Sequence, residues 1–207
     1  MDSTAWFDVV DILGVFVGAV TGALIARRLG YDITGLWGLA LVSGLGGGIM
    51  RDTLLQAGPP LALVELRYLP TVFLSTFAVA ICAIRIARLN RLILVSDSVA
   101  IGVFAVAGTL RSLDVGLGPW PTVLLGTITA VGGGLMLDMI VGQTPRIFLK
   151  GELIAFAALM SSVAVLLCHE IGTPPGLTIL VGIVVGTSVR LASVRWGWTS
   201  WAPSRVD

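Results

Sequence analysis

The sequence predicts an all-α polytopic membrane protein with seven transmembrane helices, built as two inverted three-helix repeats plus one further helix. Three observations predict this fold class. Hydrophobic residues make up 56% of the 207-residue chain, only 12% are charged, and the mean hydropathy is +0.99. A polar surface cannot cover so apolar a chain in water. Seven apolar windows follow one another along the chain, and segment 11–60 recurs as 97–146.

The apolar windows hold about twenty residues each, which is enough to cross a hydrocarbon core of ~30 Å. Short segments rich in glycine, proline and asparagine separate them, and these residues favour turns. No soluble domain fits between the windows. We therefore expect spans near 6–26, 34–56, 66–88, 92–112, 119–141, 152–171 and 175–195.

The repeated segment has a constant offset of 86 residues, and the two copies share 14 identities in 50 ungapped positions. Each copy contains three spans, an odd number, so the second copy must enter the membrane from the opposite face. The copies are then related by a pseudo-two-fold axis in the membrane plane. The predicted organisation is a first repeat over 1–91, an inverted repeat over 92–171, and a seventh helix with a tail over 172–207.

A glycine triplet lies near the middle of the second and of the fifth span. Consecutive glycines lower the cost of bending a helix, so we expect both spans to be kinked there. Loosened backbone at this depth is tolerated only where it is buried in protein or lines a wet cavity. Close helix packing is the alternative. Symmetry and the carboxylate after each triplet favour a polar pathway along Gly46, Gly47, Gly48, Gly132, Gly133 and Gly134.

Ionisable residues follow both triplets: Arg51 and Asp52 in the first copy, and Asp138 in the second. An ionisable residue inside a membrane span is a functional-site hypothesis in itself. Together the three carry one negative charge when all are ionised, which favours a pathway for cations. Alternatively, each carboxylate offsets the dipole of a half-helix that restarts after the glycines. The position equivalent to Arg51 in the second copy is Leu137.

Asp11 and Asp97 form another pair at the same offset, near the starts of the first and fourth spans. They are candidates for the vestibules of a pathway or, equally, for helix caps. Arg146 and Lys150 are candidates for contact with anionic lipid head groups, although the basic bias of the cytoplasmic side explains them as well. We expect no metal site and no cofactor.

The distribution of the thirteen basic residues predicts the orientation. If the N-terminus lies outside, ten of them fall on the cytoplasmic side and three fall beyond the midplane, which agrees with the positive-inside rule. The C-terminus is then cytoplasmic. The ten are Arg27, Arg28, Arg85, Arg88, Arg91, Arg146, Lys150, Arg190, Arg195 and Arg205.

Composition and motifs argue against two other classes of protein. The net charge of +1 and the single lysine provide no basic patch for nucleic acid. No Ser/His/Asp set, metal cluster or phosphate loop can be assembled at one depth, so an enzyme is not expected.

The repeated order of an Asp, a glycine-rich helix, Gly-Gly-Gly-x-x-Arg-Asp and a proline seven residues later resembles the prokaryotic form of the trimeric intracellular cation channel family. Sequences of this kind are also labelled glycine-transporter domains. The resemblance covers about residues 8–195. It implies a homotrimer of seven-span subunits, each with an hourglass pore that is kinked at the triplets and conducts K⁺ and other monovalent cations. Leu137 departs from the pattern, because prokaryotic relatives usually have Arg there.

The resemblance implies pore roles for the triplet glycines, Arg51, Asp52 and Asp138. The absence of the long charged tail of animal members fits the plasma (inner) membrane of a prokaryote better than an internal store. Three function classes stay open: a passive cation channel, a secondary transporter of a small solute such as the amino acid glycine, and a structural protein whose glycines only pack. Inverted repeats with broken helices are also a transporter architecture.

Overall fold

The computed structural model describes residues 3–82, 86–151 and 153–200. These residues form eight α-helices, one short 3₁₀-helix and no strands. The α-helices are α1 (Ser3–Arg28), α2 (Ile33–Leu55), α3 (Leu61–Val64), α4 (Tyr68–Ile81), α5 (Ile86–Asp114), α6 (Pro119–Ile140), α7 (Ile154–Glu170) and α8 (Pro175–Arg195), and the 3₁₀-helix is Arg146–Phe148.

The all-α class is confirmed, and each of the seven predicted windows coincides with one helix. Five helices, α1, α2, α5, α6 and α8, are long and apolar enough to cross a membrane. Helices α4 and α7 are apolar but have only 14 and 17 residues, or roughly 21 and 26 Å at ~1.5 Å per residue. The count of seven spans therefore stays a prediction. Arg85 and Arg205, two of the residues that predict the orientation, lie outside the described residues.

The ends of α1 and α5 show the duplication in local structure. Gly30 and Gly116, which are 86 positions apart, both adopt φ of +75°, a left-handed conformation that glycine adopts without steric cost. The residue after each donates its N–H across the last turn, Tyr31 to Ala26 O at 3.0 Å and Leu117 to Ser112 O at 3.1 Å. Both helices thus end in the same type of glycine cap.

The helices pack in two groups of three with contacts between the groups. In the first group, α1 packs against α2 and α4; in the second, α5 packs against α6 and α7. The groups meet where α1 contacts α5 and where α2 contacts α6, and α8 lies against α5 and α7. The boundaries at 91 and 171 stay a prediction.

Helices α2 and α6 run without interruption through their glycine triplets at 46–48 and 132–134. The backbone hydrogen bonds continue through the glycines, so the expectation of half-helices that restart after them is not met. A bend within a continuous helix stays a prediction. The physical reason is that an unbroken helix satisfies its own backbone groups, which an apolar surrounding strongly favours.

Candidate functional site

The triplets of α2 and α6 meet in a symmetric backbone contact. A Cβ atom added at Gly47 would lie 2.2 Å from the carbonyl oxygen of Thr129, and one added at Gly133 would lie 2.5 Å from that of Ser43. Ser43 and Thr129 are themselves 86 residues apart. The two helices therefore touch through bare backbone on both sides of the pseudo-two-fold axis, which only glycine permits.

Each glycine of a triplet has a different environment. Added Cβ atoms at Gly46 and Gly132 would lie 2.9 and 2.7 Å from methionine sulfur atoms of the facing helix. At Gly134 nothing lies within 4 Å, and at Gly48 only the Arg51 guanidinium does, at 3.7 Å. Two glycines of each triplet thus serve close packing, whereas the third faces open space.

The first charge cluster joins α1, α2, α3 and α4. The buried Arg51 guanidinium donates from Nη1 and Nη2 to Asp11 at 2.7 and 3.2 Å, and from Nε to Asp52 at 2.7 Å. The Tyr68 hydroxyl donates to Asp11, and the Leu61 N–H donates to Asp52 at 2.9 Å. These five residues form the first cluster, in which two carboxylates and one guanidinium leave one negative charge.

The second charge cluster joins α5, α6, α8 and the 3₁₀-helix. Arg146 donates from its backbone N–H to Asp138 at 2.9 Å and from Nε at 3.3 Å. Asp97 lies 3.9 Å from Nη2 of Arg146 and 3.8 Å from Nη2 of Arg190. These four residues form the second cluster, whose formal charges balance.

The clusters lie on opposite sides of the glycine contact. At this contact Ser43 faces Gly133 whereas Gly47 faces Thr129, so α2 and α6 run antiparallel. Asp52 follows the triplet of α2 and Asp138 follows the triplet of α6. The two carboxylates therefore lie on opposite sides of the contact. The structure thus brings the vestibule candidates and the pore candidates together in two separate clusters. Lys150 is exposed, and lipid contact stays a prediction for it and for Arg146.

A small cavity adjoins each cluster. The larger cavity, of about 30 Å³, has Gly134, Asp97 and Asp138 in its wall. The smaller cavity, of about 10 Å³, is lined by Gly48 and by all five residues of the first cluster. One water molecule needs roughly 10–15 Å³, so the cavities have room for individual water molecules only. The third glycine of each triplet therefore opens onto a cavity that has carboxylates in its wall.

Phe104 of α5 lines both cavities. Its buried ring lies against α1, where Cβ atoms added at Gly14 and Gly18 would approach ring carbons to 2.8 and 3.0 Å. The two cavities thus have an apolar ring in common in their walls.

Sequence reasoning missed three residues of this site: Tyr68, Phe104 and Arg190. The sequence does contain a signal for Phe104. The 86-residue offset pairs it with Gly18, so a large aromatic residue stands where the other repeat has a glycine. Arg190 had one as well, since it lies within an otherwise apolar window. Among the described residues, no group of His, Cys, Asp or Glu is placed to hold a metal ion.

A second ion pair between an arginine and α1 lies outside the site. Arg67 donates from Nη2 to Asp8 at 2.9 Å and from Nε to Glu65 at 2.8 Å. Hydrogen bonds from the side chain and backbone of Arg67 hold the pKa of the Glu65 carboxyl below its usual value. The side chains of Arg67 and Asp8 are 51% and 45% exposed, against 1% and 2% for Arg51 and Asp11.

The two arginines give a matched test of burial. We expect Arg51→Leu to cost about 3–5 kcal/mol, because it leaves two buried carboxylates without their cation. We expect Arg67→Leu to leave the stability almost unchanged, because water solvates the groups left behind. Thermal unfolding in mild detergent measures both. Equal losses of melting temperature would contradict the structural role assigned to the first cluster.

Comparison with known proteins gives a family. The model of the family described as "Glycine transporter" matches twice, over residues 8–84 and 94–170, at the same offset as the duplicated segment. A UPF0126 membrane protein of Deinococcus radiodurans is 35% identical over 166 residues, which are 80% of this chain and 77% of that protein. The UPF0126 inner membrane protein YadS of Escherichia coli is 30% identical over 189 residues, 90% of this chain and 91% of that protein.

Solved structures give the fold. The trimeric intracellular cation (TRIC) channel orthologue from Rhodobacter sphaeroides has a TM-score of 0.83 and 32% identity, over 92% of this chain and 97% of that one. A prokaryotic TRIC channel solved in 0.5 M KCl has the same TM-score and 28% identity, over 92% and 96%. The chain therefore belongs to the glycine transporter family of this description, the family of the prokaryotic trimeric intracellular cation channels.

Proposed function

We propose that the protein is a membrane channel for K⁺ and other monovalent cations, with one pore inside each subunit of a homotrimer. The observation that carries the proposal is the pair of carboxylate-lined cavities within one chain, on either side of a symmetric glycine contact. The relatives of known structure support it, because they are TRIC cation channels.

The charges of the site favour cations. The first cluster carries one negative charge and the second carries none, so the cavities together are net negative. In a constriction with little water, such an excess attracts cations and repels anions more strongly than it would in bulk solvent. Gly48, Asp11 and Asp52 line the smaller cavity of this route, and Gly134, Asp97 and Asp138 line the larger one.

The described conformation is a closed one under this proposal. Cavities of about 30 and 10 Å³ hold single water molecules and not a hydrated ion. Phe104 separates them, and an apolar constriction of this kind stops conduction because water leaves it. Opening then requires movement of Phe104 or of the helices that meet at the triplets.

The outer surface suits lipid and neighbouring subunits. Large apolar side chains such as Phe16, Phe73 and Leu74 are exposed there. We propose a trimer in the plasma (inner) membrane of a prokaryote, with the N-terminus outside and the C-terminus cytoplasmic. Mass measurement in mild detergent should give three copies of the 21.6 kDa chain. A monomer that still conducts would remove the trimer and leave the pore within each subunit.

A transporter of a small amino acid such as glycine is the second candidate. It is favoured by the description of the matching family and by the inverted-repeat architecture, which transporters share. Recording from purified protein in a planar bilayer separates the two functions. Unitary currents far faster than a transport cycle support the channel, whereas saturable glycine exchange without such currents supports the transporter.

Selectivity provides a prediction about the second cluster. We expect Asp138→Asn to lower the preference for K⁺ over Cl⁻, because it removes a negative charge from the larger cavity. Leu137→Arg should lower it further by adding a positive charge next to that carboxylate. Reversal potentials in a KCl gradient report this preference directly. Wild-type values in both variants would assign Asp138 a purely structural role in tying down the 3₁₀-helix.

A further inference from the structure

The second repeat lacks the arginine around which the first cluster is built. In the first repeat, Arg51 pairs with both Asp11 and Asp52. At the equivalent position of the second repeat stands Leu137, which is buried in an apolar cluster with residues of α1 and α2. The equivalent carboxylates, Asp97 and Asp138, are nevertheless retained and largely buried. Buried carboxylates need a cation close by. Within the second repeat Arg146 supplies one, but its shorter contacts are with Asp138, so Asp97 needs a further cation.

Arg190 of α8 is placed to be that cation. Its guanidinium Nη2 lies 3.8 Å from a carboxylate oxygen of Asp97, and its side chain is only 1% exposed. Arg146 reaches the same carboxylate at 3.9 Å, but its side chain is 34% exposed and its shorter contacts are with Asp138. Burial therefore makes Arg190 the closer counterpart of Arg51.

Contacts of α8 with α5 and α7 fix the height of Arg190 in the bundle. Thr187 donates to the carbonyl oxygen of Ser98 at 3.4 Å, and Ser161 donates to that of Gly182 at 2.8 Å. A Cβ atom added at Gly186 would lie 2.9 Å from the Cα of Gly102. Thr187 and Gly186, about one turn before Arg190, thus contact Ser98 and Gly102, which lie one residue and just over one turn after Asp97. This brings the side chains of Arg190 and Asp97 to the same level.

We propose that Arg190 is the positioning residue that takes the place of Arg51 in the second repeat, where Leu137 stands at the equivalent position. Helix α8, which lies outside the duplicated segment, thereby completes the second cluster: Arg190 pairs with the Asp97 carboxylate and holds it in place beside the larger cavity. The pairing itself does not depend on the channel function. The consequence of the pairing for the charge of the cavity, in contrast, rests on the proposed channel function.

A double-mutant cycle tests the pairing. The variants are Arg190→Leu, Asp97→Asn and the combination, and the readout is melting temperature in mild detergent. Each single variant should lower it by roughly 10 °C, because each leaves a buried charge without its counter-ion. The double variant should lose clearly less than the sum of the two losses, since both charges are then absent. Additive losses would overturn the proposal.

Further variants keep the test informative when Arg190→Leu fails to fold. Arg190→Lys retains the charge and should keep most of the stability, and Asp97→Asn should restore folding to Arg190→Leu. A double variant that remains unfolded overturns the pairing. Arg195→Leu is the matched control, because this arginine of the same helix is exposed and should lose almost nothing. A cycle between Arg146→Gln and Asp97→Asn should give weaker coupling; stronger coupling there would assign the role to Arg146.

The function is tested separately on the same proteins. In vesicles, Arg195→Leu should conduct K⁺ like the wild type, and the folded double variant should show an altered preference for K⁺ over Cl⁻. Absence of any K⁺ current from wild-type protein would remove the proposed function. The thermal cycle would still decide the pairing in that case.

Discussion

Alanine at Gly47 or Gly133 should lower the melting temperature by roughly 5 to 10 °C, whereas alanine at Gly48 or Gly134 should leave it unchanged or raise it. At the first two positions the added Cβ atom would lie 2.2 and 2.5 Å from a carbonyl oxygen of the facing helix. Backbone cannot rotate away as a side chain can, so α2 and α6 must separate. Overpacking of this kind costs typically 1–3 kcal/mol, about the predicted shift.

The third glycines are matched controls within the same triplets. An added Cβ atom finds nothing within 4 Å at Gly134 and only a side-chain nitrogen at 3.7 Å at Gly48. Alanine favours a helix over glycine by ~1 kcal/mol, which accounts for the expected gain. Equal melting temperatures for all four variants would remove the packing role that the structure assigns to Gly47 and Gly133.

Measuring K⁺ flux on the two control variants addresses the pathway itself. Gly48 and Gly134 each open onto a cavity, so an alanine methyl group there narrows the route and stiffens the helix. Retained stability with lost flux would support a water-filled pathway that bends or changes its width at the third glycine. Retained flux would place the pathway elsewhere, because methyl groups in cavities of about 10 and 30 Å³ take up most of the space.

Helix positions could be predicted from the sequence because they depend on properties that the chain carries locally. Apolar windows of sufficient length and the turn residues between them located seven helices, and the 86-residue offset identified the two copies of the repeat. The partnership of Asp11 with Asp97 came from the same offset. Each of these inferences needs only spacing and residue type.

Contacts between helices could not be predicted in this way. A glycine triplet lowers the cost of bending and also permits close approach, and only the position of the facing helix decides between them. Here Thr129 and Ser43 place carbonyl oxygens against Gly47 and Gly133, and the helices stay continuous. The contact of Arg190 with Asp97 depends similarly on how α8 lies against α5. The sequence shows that Arg190 lies within a predicted span, but it does not show which residues of α5 lie at the same depth.

Phe104→Ala should raise K⁺ flux several-fold while lowering stability. The ring is the wall that the two cavities have in common, so its removal joins them into one polar space. A wider and less apolar constriction stays wet, and a wet constriction conducts. The loss of a buried aromatic side chain costs about 3–5 kcal/mol, so the variant should melt at a lower temperature and needs measurement well below it.

Flux and stability must be separated for this variant, since a partly unfolded protein also leaks. Phe16→Ala is the matched control, because this aromatic residue lies on the outer surface at 43% exposure and its loss should change neither quantity much. Phe104→Leu keeps an apolar wall and should give a flux close to that of the wild type.

The K⁺ over Cl⁻ preference of Phe104→Ala provides the decisive reading. A leak through damaged protein passes both ions, whereas a joined pair of carboxylate-lined cavities still favours K⁺. Unchanged flux in a folded Phe104→Ala protein would show that the ring does not close the pathway, and the constriction would then have to be the glycine contact itself.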